Sequence, residues 1–326
     1  MKRIHAITAL ALALVILLSF GAESALAGST MQVQVKAEFR YSDARKMLKL
    51  INAFRTGKDA WYLDEDNATR IQVTGLSEMQ YDYNLEKVAM QRALETAAYF
   101  SHTRPDGSAW STAFPGSYSA KGENLAYGYG SADAAFKALA EEDKNYAGQG
   151  HRRNMLRKEF TRVGFGCVKV GNVVYWAQSF GGGAGSTGSD SDRFKSNKIT
   201  VSTDLLLQNA KSISPETESL TLTVKESVSL PKVVVFSNSG ARLYINDADW
   251  KTQNKKIVKI KSNKVTAVKK GSAKITAYVN GKSFAAGLKV VDAVNPGKLE
   301  ADAAFALSPR RLCATSSISS EIGRAS

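Results

Sequence analysis

Residues 162–180 read RVGFGCVKVGNVVYWAQSF. Two β-rich runs, 162–170 and 173–180, flank Gly171-Asn172, and a two-residue break of this kind between such runs is a hairpin signal. The residues upstream have a different period. Met47, Leu48, Leu50, Ile51 and Phe54 fall on one face of a helix predicted over 43–55, with Ser42 as its N-cap and Gly57 as its stop. Leu85, Val88, Ala89, Leu94, Ala97 and Ala98 do the same for a helix over 85–100, capped by Asn84. A third helix is expected from Ser131 to about Tyr146, and a short one over 151–158. Helices followed by a strand hairpin within one region predict an α+β layered fold.

Working outward, the first 27 residues have the layout of a cleaved secretory signal peptide. Lys2 and Arg3 precede an apolar run from Ile7 to Phe20, and Ala25-Leu26-Ala27 supplies small residues before Gly28. The run is too short for a membrane span of roughly 20 residues, and no second stretch of that length follows, so the mature chain is expected to be exported without a transmembrane segment. Removing the leader removes His5 and leaves two histidines, His102 and His151. Two cysteines, Cys167 and Cys313, exclude a disulfide framework and a four-thiolate zinc site. Cys167 lies in the apolar stretch quoted above and is expected to be a small core residue.

Downstream, Gly181–Asp192 reads GGGAGSTGSDSD, a flexible linker by composition. Beyond it the chain is strand-like throughout. Leu220, Leu222 and Val224 alternate, as do Ile275, Ala277 and Val279, and Asn280-Gly281 marks a second hairpin turn. Short strands at regular spacing predict an all-β sandwich. From about Val294 the composition turns to Ala, Ser and Arg without periodicity.

Four polar residues stand out by type and setting. His102 lies in FSHTRPDG (100–107), where a helix yields to a Pro-Asp-Gly turn. Glu123 lies in GENLA (122–126). Glu142, with Glu141 and Asp143 adjoining, lies near the end of the third helix, four residues before Tyr146. His151 lies in GHRRNML (150–156), opening the short helix. Two imidazoles and two carboxylates are the ingredients of a divalent-metal site or of a tuned acid–base pair. Separations of 21, 19 and 9 residues converge only if the fold brings them together, and spacing alone favours four separate surface or cap residues.

These segments in this order, with LKLINAFRTG (48–57), RVGFGC (162–167) and YWAQSFGG (175–182), resemble the CAP superfamily of cysteine-rich secretory, antigen 5 and pathogenesis-related 1 proteins, its bacterial secreted branch above all. The resemblance implies an α-β-α sandwich over 37–183 with a cleft lined by a His/Glu/Glu/His tetrad at His102, Glu123, Glu142 and His151. The cysteines of eukaryotic members are absent, so their disulfide-braced loops are not carried over. Asp249-Trp250, KIVKI (256–260) and KVTAVKKGSAKITA (264–277) make 200–292 similar to a bacterial Ig-like module of group 2. The expected organisation is therefore a signal peptide (1–27), a CAP domain (37–183), a Gly/Ser-rich linker (184–199), an Ig-like sandwich (200–292) and a disordered or non-native tail (293–326).

The resemblance implies several chemistries rather than one. The tetrad could bind zinc or another divalent metal, with His102 and His151 as ligands. Glu123 and Glu142 would be further ligands, orienting groups or, in an enzyme, the catalytic carboxylates of a metal-dependent hydrolase acting on a peptide or cell-wall substrate. The favoured reading is a secreted or cell-envelope-associated binding protein with this metal- or ligand-capable cleft, whose Ig-like module is a spacer or adhesion unit; the hydrolase is the alternative. The formal charge of +14 supports an anionic partner. Residues 28–185 hold 20 basic and 17 acidic residues, whereas 186–298 hold 19 and 9. The excess gathers at Lys255, Lys256, Lys259, Lys261, Lys264, Lys269, Lys270 and Lys274. An anionic wall polymer or other envelope component would suit such a cluster, but a solvated lysine-rich strand face that blocks aggregation is favoured over a specific site. Few aromatics interleave these lysines and the chain is exported, which argues against nucleic acid.

Overall fold

A computed structural model describes residues 29–116, 118–141, 145–183, 186–190, 198–245 and 248–293. The signal peptide, Glu142, Cys313 and the C-terminal tail from Val294 lie outside the described residues.

The chain opens with β1 (Thr30–Phe39), followed by α1 (Tyr41–Thr56), the short strands β2 (Trp61–Leu63), β3 (Arg70–Gln72) and β4 (Gln80–Tyr81), and α2 (Tyr83–Ala98). Then come β5 (Lys121–Tyr127), α3 (Ala132–Ala140), α4 (Gly150–Met155) and the hairpin β6 (Arg162–Val170) and β7 (Val173–Gly181). The quoted stretch is that hairpin, with Gly171 at φ 59° in its turn. Its strands lie in a sheet ordered β5-β7-β6-β1. On one face, α2 lies directly on β6. A Cβ on Gly164 would sit 2.1 Å from Leu85 C and one on Gly166 2.1 Å from Ala89 O, so these two alternate positions admit only glycine. The residues between and beyond them, Phe165 and Cys167, face the opposite side, where α1 packs. This is an α-β-α arrangement.

Cys167 is inaccessible, as expected of a core thiol, and burial pushes it up to about 12. Helix boundaries differ from expectation where side chains compete for caps. Asp82, not Asn84, caps α2, its Oδ1 accepting from Asn84 N at 2.8 Å and Leu85 N at 3.1 Å. The first helix begins at Tyr41 with no side-chain cap. Ser131 caps α3 as predicted, but the helix ends at Ala140 rather than near Tyr146, because Glu141 turns left-handed at φ 52°.

After β7 the described elements are all strands apart from one turn of 3-10 helix at Leu207–Asn209. They are β8 (Lys198–Leu206), β9 (Ser212–Pro215), β10 (Ser219–Thr223), β11 (Ser227–Ser229), β12 (Val233–Phe236) and β13 (Arg242–Ile245), then β14 (Asp249–Thr252), β15 (Val258–Lys261), β16 (Lys264–Ala267), β17 (Gly271–Val279) and β18 (Lys282–Val291). Asn280 and Gly281 both take positive φ, 45° and 78°, closing the predicted hairpin between β17 and β18. Two further sheets, β10-β18-β17-β14 and β11-β16-β15, build this all-β unit.

The two units share one sheet through β1. Residues 37–39 of β1 pair with β6, while Thr30–Glu38 pair antiparallel with Leu206–Lys198 of β8, and Gln34 meets Tyr244 of β13. The alternation of Met31, Val33, Val35, Ala37 and Phe39, all buried, with polar residues between them makes this strand. Of the Gly/Ser run, described residues lie against the first unit: Thr187 O accepts from Tyr83 N at 2.7 Å and Asp190 pairs with Arg45 at 2.5 Å.

Candidate functional site

β5 is an edge strand, and two imidazole–carboxylate pairs are built around it. The first begins on α2. Arg92 is wholly buried; its Nε donates to Glu123 Oε2 at 2.6 Å, its Nη2 to Glu123 Oε1 at 3.2 Å and its Nη1 to Glu95 Oε2 at 2.6 Å. Glu95 also receives Arg104, at 2.6 Å. Two guanidinium groups and two carboxylates therefore neutralise one another out of water, which is the condition for burying any of them. Burial opposes the charge of Arg92, but its hydrogen bonds to Glu123 and Glu95 outweigh it and hold the group above its ordinary value. Onto this fixed carboxylate comes His102, whose Nδ1 lies 2.9 Å from Glu123 Oε1. The imidazole is otherwise open, its side chain 55% exposed. The loop beneath it is the predicted Pro-Asp-Gly turn, closed by Arg104 N to Ser108 O and Gly107 N to Arg104 O, both at 2.9 Å.

The second pair is His151 and Glu141, with Nδ1 2.5 Å from Oε1. Glu142 lies outside the described residues, and Glu141 is the carboxylate that the described structure sets on His151. The left-handed turn at Glu141 ends α3 and leaves its Oε2 buried with no partner among the described residues. The rest of the GHRRNML segment holds His151 in place. Arg152 donates to Asp59 O and Ala140 O at 2.6 and 2.9 Å and stacks on Trp61 at 3.8 Å. Asn154 Nδ2 donates to Asn124 Oδ1 at 2.8 Å and Glu123 O at 3.3 Å, and Asn124 Nδ2 donates to His151 O at 2.9 Å. Residues 123 and 124 of β5 thus tie both pairs to one strand. Arg55 donates to Met155 O at 2.6 Å and Phe160 O at 3.3 Å, closing the C-terminal end of α4, where cations are favoured.

Sequence reasoning singles out both histidines, Glu123 and Glu142, with Glu141 only as a neighbour of Glu142, and misses Arg92, Glu95, Arg104 and the two asparagines. A signal existed for Arg92: charged Arg92 and Glu95, three apart, sit among the apolar Ala89, Ala93, Leu94 and Ala97 of one helix.

The donor chemistry can be tested against a metal. Each imidazole has its Nδ1 on a carboxylate, the arrangement that fixes the tautomer and leaves Nε2 as the ligating atom. Among the described residues, however, no group of three or more His, Cys, Asp or Glu side chains is gathered closely enough to hold an ion. A structural zinc with four protein ligands does not fit these residues.

The structure is an α-β-α sandwich with two imidazole–carboxylate pairs set beside its edge strand, and a family model gives the class. Residues 48–180 match the model of the family described as CAP, the Cysteine-rich secretory protein family, and the chain therefore carries a CAP domain of that family. It is similar to the uncharacterized protein YkwD of Bacillus subtilis (strain 168), at 35% identity over 119 residues covering 35% of this chain and 43% of that protein, less than half its length. Among solved structures it is similar to an extracellular protein containing an SCP domain from Bacillus anthracis, with TM-score 0.32 and 21% identity over 44% of this chain and 41% of that one. It is also similar to an outer surface protein of Borrelia burgdorferi, with TM-score 0.31 and 18% identity over 43% of this chain and 92% of that one. Among the described residues no helix is long and apolar enough to cross a membrane.

Proposed function

We propose that this chain is an exported, envelope-associated binding protein whose CAP domain offers His102 and His151 to a divalent metal such as zinc, or to another ligand. The observation that carries the reading is the state of the two histidines of the mature chain: both have Nδ1 anchored on a carboxylate that is itself at most one-tenth exposed. Anchoring of this kind orients an imidazole for something outside it. Glu123 spends both oxygens on Arg92 and one also on His102, which favours holding a ligand over activating water. Turnover of a peptide or wall substrate that is lost in Glu123→Gln would reverse that order and make the hydrolase the better reading. The test is metal analysis and zinc titration of the mature protein beside the His102→Ala/His151→Ala double variant. Wild type is expected to bind and the double variant to lose binding; equal binding by both ends the metal reading.

The all-β unit, read as an Ig-like module, would hold the protein on an anionic envelope polymer. Seven of the eight clustered lysines have no carboxylate within ion-pair distance among the described residues; the exception is Lys270, 2.7 Å from Asp292. Lys261 and Lys264 face each other directly across β15 and β16, a like-charge pairing that costs stability unless an anion lies over it. Lysines on an edge strand such as β15 also block strand-to-strand aggregation, and this is the competing account. Binding to inorganic polyphosphate should fall steeply between low and physiological salt and weaken in the Lys261→Glu/Lys264→Glu variant. Salt-insensitive binding, or a variant that binds as well as wild type, would leave these lysines with the solubility role alone.

A further inference from the structure

The loop that carries His102 is held at both ends by the all-β unit. At its start, Asn238, in the turn between β12 and β13, makes a two-way contact with the backbone of Phe100. Its Oδ1 accepts from Phe100 N at 2.8 Å and its Nδ2 donates to Phe100 O at 3.1 Å. A side-chain amide has both the donor and the acceptor needed to serve one residue's N–H and C=O at once, as a neighbouring strand would. At the far end, Pro105 O accepts from Leu206 N at 2.8 Å and from Asn209 Nδ2 at 3.3 Å. Leu206 also packs against Gly107, its Cδ1 2.9 Å from where a Cβ would stand. Between these grips, Arg92 Nη2 donates to Ser101 O at 2.9 Å and His102 O at 3.4 Å.

The Asn238 turn is itself braced. Ser237 Oγ accepts from Ala241 N and lies 3.0 Å from Ser239 Oγ, which is 3.0 Å from the Tyr175 hydroxyl. Tyr175 stacks on Tyr127 with ring centroids 6.0 Å apart, and Tyr127 packs on Phe100 at 4.5 Å. A contact chain therefore runs from the all-β unit through an aromatic stack to the residue two positions before His102.

We propose that Asn238 is a positioning residue for His102, and that the all-β unit completes the candidate site by holding loop 100–107 in place. The proposal rests on the reading of His102 as a ligand-holding residue. Glu123 fixes one ring nitrogen, but where the ring stands also depends on where the loop sets its backbone. Within the CAP domain Arg92 pins the carbonyls at 101 and 102, Glu95 holds the Arg104 side chain and Tyr127 packs on the Phe100 ring. Among the described residues the backbone of Phe100 and of Pro105 is gripped from the second unit. Ligand binding at His102 and docking of the all-β unit are then linked, each favouring the other by the same factor.

The test uses the full mature chain in three forms beside wild type. Asn238→Ala removes both bonds to Phe100. Asn238→Asp keeps the acceptor for Phe100 N and loses the donor. Tyr175→Phe removes the hydroxyl contact to Ser239 without touching the loop backbone. Amide hydrogen exchange over 99–107 is expected to quicken about tenfold in Asn238→Ala, the loss of two modest hydrogen bonds, and less in Asn238→Asp. It should be unchanged in Tyr175→Phe, and exchange in β6, β7 and β17 should stay at the wild-type rate in all three. Zinc affinity should stay at the wild-type value in Tyr175→Phe and fall in Asn238→Asp and further, several-fold, in Asn238→Ala. Wild-type exchange at 99–107 in Asn238→Ala overturns the proposal, and so does faster exchange throughout both units with zinc affinity unchanged. If wild type binds no zinc, the ligand reading fails by itself and the ring signals of His102 in nitrogen-resolved NMR decide: signals that move in Asn238→Ala support positioning, and unmoved signals refute it.

Discussion

Arg92 is the residue on which the candidate site depends most. It is inaccessible, and it touches Glu123, Glu95 and the backbone of the His102 loop. Replacing it by Met would leave Glu95 paired with Arg104 but Glu123 with His102 alone, a buried carboxylate stripped of its cation. Breaking a buried pair from one side costs about 3–5 kcal/mol. Urea unfolding of Arg92→Met should show a loss of that size, and adding Glu123→Gln should recover part of it, because the stranded charge is then gone. A double variant as unstable as the sum of the two single ones would mean that the pair is not the unit of stability here. At this scale the sequence was informative through scarcity. The described residues hold two histidines, His102 and His151, which can be weighed one by one, and both lie on anchored pairs. Their supports were not legible in the same way: Arg92 and Glu95 are neighbours on one helix, but Glu123 reaches Arg92 from a strand and Arg104 reaches Glu95 from a loop only in the folded chain.

Among the elements, legibility followed the strength of local rules. The hairpin 162–181 could be read because two β-rich runs and a Gly-Asn turn admit little else, and its strand β6 falls on the predicted residues. What the hairpin alone did not reveal is why Gly164 and Gly166 alternate in it. The reason lies in another element, the backbone of α2, which occupies the space their side chains would need. That close approach puts Arg92 within reach of Glu123. Cap positions were off by about two residues where two capping residues stood close together. Asp82 prevailed over Asn84 because its other oxygen is also used, accepting from the Tyr118 hydroxyl at 2.9 Å in a buried site. The third helix was overextended because its end is set by a non-glycine residue in a left-handed conformation, Glu141, for which composition gives no warning. β1 shows the opposite case, a strict alternation present in the residues from Met31 to Phe39 that precedes every matched motif and was not weighed.

Taken whole, the molecule joins two sequence-distinct units more tightly than a Gly/Ser run implies. The CAP part is nearly balanced in charge and the β part carries the excess, yet β1 belongs to both and one continuous set of buried apolar side chains runs from Met31 and Phe39 to Leu243 and Val290. Met31, Val33 and Val35 lie on the part of β1 that pairs with β8, beyond its pairing with β6. Cutting the chain after 183 would leave those three side chains without the β8 layer. At about 1.5–3 kcal/mol for each apolar side chain returned to water, the loss is several kcal/mol. For a unit of this size that corresponds to a fall in melting temperature of about 10 °C or more. Calorimetry of the mature chain should therefore show one transition, with calorimetric and van't Hoff enthalpies in agreement. The fragment 29–183 should melt well below it. Two resolved transitions in the full chain, the lower or upper coinciding with that of the fragment, would show that β1 only bridges independent domains, and the grip of Asn238 on the His102 loop would then have to survive without a shared core behind it.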